Sequence, residues 1–154
     1  MSTYRHILLA SHGTAGARAA ERAALALAGA GAQLSQLVVV PDFWKGMMGD
    51  DWLNNASTRD VYARHVERQL ESEIEQEVAR VRADAATRGL RYARQVVLGR
   101  PAECLVDCAS RLQPDLVVIG SPRPPRAKGL RSRMDPDTLL RGLMVPLLVV
   151  PYPR

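Results

Sequence analysis

The residues best suited to chemistry are basic side chains that follow the apolar segment LVVIG at residues 116–120. From Arg123 to Arg133 the chain carries four arginines and one lysine, with no acidic residue among them. A guanidinium group presents a planar fork of N–H donors that matches the oxygens of a phosphate. The segment therefore either binds a small anionic ligand through its side chains or forms a solvated charged loop.

A second candidate is His12, in the sequence SHGT directly after the first apolar segment. An imidazole changes its charge near neutral pH and can exchange a proton or bind an oxygen atom. A turn histidine that bonds the nearby backbone is an equally open interpretation. No serine or cysteine nucleophile stands in a motif with a plausible base, so no catalytic residue is predicted. A weak phosphohydrolase activity would depend on His12 alone.

The remaining histidines and the cysteines do not have metal-ligand spacing. His6 falls within a predicted strand and His65 on a predicted helix. Cys104 and Cys108 are four residues apart on one side of a helix, which is typical of two small buried apolar side chains. No metal site is expected.

Composition limits the class of protein. The chain has 154 residues, of which 47% are hydrophobic and 24% charged, with a formal net charge of +5. These values predict one globular domain spanning residues 1–154. No apolar run approaches the roughly 20 residues that cross a bilayer, and we find no signal peptide, so a cytoplasmic location without membrane contact is expected. Nucleic-acid binding is not expected, because the basic segment contains no aromatic side chain for stacking on bases.

The elements that position these residues alternate along the chain. Apolar strands are predicted at residues 4–11, 34–41, 91–98, 116–120 and 145–151, and helices at 15–29, from 57 or 58 to about 88, at 101–113 and at 135–144. This alternation predicts an α/β fold, a doubly wound parallel sheet with helices on both faces. Ligands of such sheets bind beyond the carboxyl ends of the strands. An aromatic segment, Phe43 to Trp52, is expected to cover the cleft, to contact a second copy or to pack on its own domain.

Four pieces of the chain, in this order, resemble the universal stress protein family: HILLASHGT, LVVVP, VVLGRPAECLVDCASRLQPDLVVIGS and LLRGLMVPLLVVP. The resemblance implies a Rossmann-like five-stranded sheet of order 3-2-1-4-5 and a homodimer joined partly through the last strand. It also implies a cleft between strands one and four where many members bind ATP or AMP.

The family's binding pattern is matched only in part. The resemblance implies an Asp after strand one, apolar backbone at the end of strand two and a phosphate loop of the form G-x2-G-x9-G-S/T after strand four. Candidate ligand positions in this chain are therefore His12, Gly13, Thr14, Val39, Val40, Gly120, Ser121, Arg123 and Arg133.

Several loop positions depart from that pattern. Gly120 matches the first glycine, but Arg123 and Arg133 replace the other two, and Met134 replaces the hydroxyl residue. Glycines let backbone N–H groups approach phosphate oxygens, whereas Pro122, Pro124 and Pro125 carry no N–H.

Two functions follow from this pattern. The first is a non-enzymatic stress-response domain that acts through protein contacts and has lost the standard ATP loop, with no cofactor. The alternative is a regulatory module that binds ATP or AMP and uses Arg123 and Arg133 in place of the glycines.

Overall fold

The computed structural model describes residues 4–10, 15–40, 72, 74–121 and 134–152. The strands are β1 (Tyr4–Ala10), β2 (Ala28–Val40), β3 (Arg91–Leu98), β4 (Leu116–Gly120) and β5 (Leu147–Val150). The helices are α1 (Ala15–Leu27), α2 (residues 74–87), α3 (Pro101–Leu112) and α4 (Pro136–Gly142).

All neighbouring strands are parallel and the sheet order is β3-β2-β1-β4-β5, which confirms the predicted order. Alternate side chains of β1 enter two separate cores. Ile7 and Leu9 pack with residues of α1 and α2, whereas Leu8 and Ala10 pack with residues of α3 and α4. Helices therefore cover both faces, and the doubly wound α/β fold is confirmed.

Strand β2 begins six residues earlier than predicted, at Ala28 instead of Leu34. Tyr4 pairs with Ala28, but His6 already pairs with Gln33, so the register between β1 and β2 is irregular there. Gly31 lies within this irregularity at φ +74°, a conformation that favours glycine. The last two residues of the helix predicted over 15–29 therefore lie in an extended, bulged start of β2.

The described part of α2 has an apolar stripe that packs in the core. Val78, Val81 and Ala85 are buried, and the helix ends at residue 87, before Gly89 at φ +71°. This end agrees with the predicted one near residue 88, and a glycine at positive φ is a common helix stop. The start of the predicted helix and the aromatic segment lie outside the described residues.

One charged residue of α1 is buried. Glu21 falls with Arg18 and Arg22 on the polar side of the helical pattern, but only the two arginines are exposed. Glu21 is 5% exposed, and Arg80 on α2 donates hydrogen bonds of 3.0 and 2.8 Å to its two carboxylate oxygens. The helical pattern of α1 does not predict that Glu21 is buried, because its burial depends on contact with α2.

The cysteines and the last strand agree largely with expectation. Cys108 is buried and Cys104 is half-buried, and both are free thiols. Pro146 directly precedes β5, an edge strand, and its carbonyl oxygen accepts a hydrogen bond from Val117 N–H. No helix in the described part of the chain is long and apolar enough to cross a membrane.

Candidate functional site

The candidate site lies at the carboxyl edge of the sheet, between β1 and β4. These two strands are neighbours, but the chain leaves them in opposite directions, from β1 through α1 to β2 and from β4 towards α4 and β5. The connecting helices lie on opposite faces of the sheet. Such a reversal of strand order leaves a crevice in which α/β proteins bind ligands.

Strand β2 forms one side of this edge. Ala10, the last residue of β1, pairs with Leu37, so β2 extends three residues further, to Val40. Val39 is 5% exposed and packs in the core on the side of α3 and α4. The end of β2 therefore offers backbone groups next to the crevice while the Val39 side chain is in the core.

Strand β4 forms the other side. Gly120 is its last residue and pairs with Val150 on β5, and the half-buried Ser121 follows. The backbone N–H of Ser121 donates a 2.8 Å hydrogen bond to the Val150 carbonyl oxygen. This N–H group is therefore bonded within the sheet, and the hydroxyl is the donor that Ser121 has left for a ligand.

Five predicted site residues lie outside the described residues: His12, Gly13, Thr14, Arg123 and Arg133. The structure places their chain neighbours, because Ala10 ends β1 and Ser121 follows β4 at the same edge of the sheet. The segments that carry His12 and Arg123 therefore leave the sheet from adjacent strands.

The segment after β4 rejoins the described chain at Met134. This side chain is 7% exposed and belongs to the core that contains Leu105 on α3 and Leu139 on α4. A methionine side chain has no hydroxyl hydrogen to donate. Where the family pattern has a hydroxyl residue, this chain therefore has an apolar side chain that is buried in the core.

Asp135 is the N-cap of α4. Its carboxylate accepts a 3.2 Å hydrogen bond from Asp137 N–H and a 2.7 Å hydrogen bond from the Thr138 hydroxyl, and Pro136 occupies the first turn without an N–H. The first donors at this end of α4 are therefore either absent or already bonded to a carboxylate. A phosphate at this position would meet the negative charges of Asp135 and Asp137.

Two groups of hydrogen-bonded polar residues lie away from this edge, and we did not predict them. The first, on the side of α1 and α2, includes Gln36, which is fully buried and accepts a hydrogen bond from the Tyr92 hydroxyl. Burial is the main cause that raises the pKa of Tyr92 to about 12. Among the described residues, Gln36 Nε2 has no hydrogen-bond partner. The only sequence signal was a glutamine inside the apolar run LSQLVVV.

The second group lies at the opposite, amino edge of the sheet. The Asp115 carboxylate accepts hydrogen bonds of 2.7 Å from Arg5 N–H and 3.1 Å from His6 N–H, which joins the start of β4 to β1. His6 Nε2 lies 2.8 Å from the Ser35 hydroxyl oxygen. Burial lowers the pKa of His6, against the opposing effect of Asp115. No group of three or more potential metal ligands occurs among the described residues.

The family model described as "Universal stress protein family" matches residues 3–151. This match spans nearly the whole chain, including every strand and helix described above. None of the curated proteins matches the sequence.

Three solved structures are similar along almost the whole chain. The hypothetical protein MJ0577 is 16% identical with a TM-score of 0.74, and the similarity covers 99% of each chain. A universal stress protein family member from Burkholderia pseudomallei is 25% identical with a TM-score of 0.64, over 98% of each chain. A family member from Arabidopsis thaliana with AMP bound is 14% identical with a TM-score of 0.63, over 99% of this chain and 93% of that one.

Proposed function

Because the chain belongs to the universal stress protein family, we propose that it is a non-enzymatic regulatory domain that acts through protein contacts and lacks the standard ATP phosphate site. The observation that carries this proposal is the junction at Met134 and Asp135. The first side chain is buried in the core, and the second uses its carboxylate to cap α4.

The composition of the preceding loop supports the same conclusion. Pro122, Pro124 and Pro125 have no backbone N–H, and Arg123 stands where the family pattern has its second glycine. Ser121 N–H is bonded within the sheet. Of the five residues that follow Gly120, only Arg123 therefore has a backbone N–H that could approach a phosphate chain.

Self-association through the β5 edge is part of the proposal. Apolar side chains are exposed on β5 and on the chain that leads into it: Leu140 on α4 is 75% exposed, Met144 93% and Val149 on β5 44%. Exposed apolar side chains beside an unpaired strand edge are typical of an interface. A homodimer would bury them.

Calorimetric titration with Mg-ATP and with AMP tests the loss of the phosphate site, with the Arabidopsis family member as the positive control for AMP. We expect no saturable heat with Mg-ATP, because prolines remove backbone donors at the start of the loop and Met134 replaces the hydroxyl residue. Saturable Mg-ATP binding would contradict the proposal. Release of phosphate from ATP above that of a His12→Ala variant would contradict its non-enzymatic part.

The second candidate is an AMP or ATP module in which Arg123 and Arg133 bind phosphate through their side chains. The AMP-bound Arabidopsis structure supports it, since the fold there holds an adenine nucleotide. Gly120 at the end of β4 supports it too. Arg133→Ala should then weaken AMP binding, and added salt should weaken it further. Arg22→Ala, an exposed position on α1, is the matched control; equal binding by both variants would reject this candidate.

A further inference from the structure

A groove of about 630 Å³ runs between α2 and the edge strand β3. Ala79, Ala83 and Ala86 line it from α2, and Tyr92, Ala93 and Arg94 line it from β3. The three alanines recur at intervals of four and three residues, which places them on one side of the helix. Their short side chains leave the space beside the strand open.

The groove reaches the backbone of β3. Tyr92 and Arg94 point towards α2, since they bond Gln36 within that core and Glu75 on α2. Side chains alternate along a strand, so Ala93 points to the other face of the sheet. Because all three residues line the groove, the groove must also border the main chain of β3 at Ala93.

The outer edge of β3 has no strand partner in the described part of the chain, where β3 pairs with β2 alone. Such an edge presents a row of N–H and C=O groups to any extended chain. From Glu75 to Ala86 the helix is about 16 Å long, the length of about five extended residues.

Two arginines, Arg82 and Arg94, and one carboxylate, Glu75, line the groove, which leaves it with a net positive charge. Arg82 lines the groove and is exposed, and no hydrogen bond or ion pair joins it to another residue that the structure describes. Arg94 forms a 2.7 Å ion pair with Glu75, and the exposed Arg91 begins the strand. Arginine at a strand edge discourages indiscriminate strand pairing and favours a partner with carboxylates.

We propose that this groove binds an extended acidic segment of a partner protein, which adds as a strand to the free edge of β3. The proposal rests on the proposed function in one respect, that the chain acts through protein contacts. Main-chain hydrogen bonds to β3 supply affinity, and alternate side chains of the segment lie over the alanines. A carboxylate of the segment pairs with Arg82.

A library of random peptides displayed on phage, selected on the full-length protein, tests the proposal without assuming a sequence. We expect enrichment of acidic, proline-poor peptides. Their affinity should fall about tenfold or more in Arg82→Glu, which reverses the charge, and in Ala83→Leu, which fills the groove. The matched controls are Arg22→Glu and Ala26→Leu, exposed positions on α1 that do not line the groove.

Amide hydrogen exchange supplies a second readout, since strand addition should slow exchange along β3 when a selected peptide binds. The proposal is overturned if no acidic peptide is enriched, if Arg82→Glu binds as well as Arg22→Glu, or if exchange in β3 is unchanged. It is also overturned if Ala83→Leu alters self-association, because the groove would then be a contact between copies. Mg-ATP binding would instead refute the proposed function and leave the peptide result standing.

Discussion

Arg80 on α2 donates two hydrogen bonds through one guanidinium nitrogen, Nη2, to both carboxylate oxygens of Glu21 on α1. The carboxylate is almost completely buried, whereas the arginine side chain is 39% exposed. The pair joins the two helices that cover the same face of the sheet. Loss of the arginine would leave a buried charge with fewer partners.

Arg80→Ala should therefore lower the free energy of unfolding by about 2 kcal/mol, the cost of removing hydrogen bonds to a buried charged group that water can partly replace. Urea denaturation measures this loss. Arg82→Ala is the matched control on the same helix and should change stability by less than about 0.5 kcal/mol. Equal losses in the two variants would contradict a specific role for the pair.

The N-cap of α4 gives a second prediction. Asp135→Ala removes the acceptor for Asp137 N–H and for the Thr138 hydroxyl, and should cost about 1 kcal/mol of stability. Asp135→Asn keeps a side-chain oxygen in the capping position and should cost much less. Both are measured by urea denaturation. If asparagine were as destabilising as alanine, the carboxylate charge would matter more than the cap.

His6 gives a prediction about pH. Burial lowers its pKa in the folded protein below the usual 6.5, so below about pH 6.5 the unfolded chain binds more protons at this residue. Its contribution to stability is therefore fully present above about pH 6.5 and is lost as the pH falls. Urea denaturation at pH values from about 5 to about 8, on both sides of the usual pKa of histidine, measures this loss. His6→Asn should lose less stability at acidic pH than the wild type does. Parallel pH profiles would contradict this role.

The two edge strands allow a matched test of self-association. Val149 on β5 and Val96 on β3 are 44% and 45% exposed. We expect Val149→Glu, combined with Met144→Glu, to shift sedimentation towards the monomer, because charge at an apolar interface is costly to bury. Val96→Glu should leave the assembly unchanged. The opposite result would place the interface at β3, and a monomeric wild-type protein would refute the homodimer.

Much of the fold could be predicted from local patterns. The apolar runs of β1, β3 and β4 indicated strands with the observed bounds to within one residue, because a serine or a glycine directly follows each run. Asp135 and Pro136 marked the start of α4, since capping depends only on residues next to each other in the chain. The family resemblance supplied the strand order, which local pattern alone leaves open.

The candidate site was predictable in its location but not in its contacts. The carboxyl edge follows from the parallel topology, and Gly120 ends β4 there as expected. The burial of Met134 depends on side chains from α3 and α4 that are distant in sequence. The bond from Ser121 N–H to Val150 likewise needs β5 in place beside β4.

The sequence by itself determined the alternation of strands and helices and the ends of most elements, because these depend on neighbouring residues. Only the tertiary structure decided that Glu21 is buried, that β2 begins with a bulge at Gly31 and that a groove follows the edge of β3. Each of these depends on two elements from different parts of the chain meeting at one place. Which side of a helix is covered, and which strand is left at an edge, are properties of the packed sheet and not of any one segment.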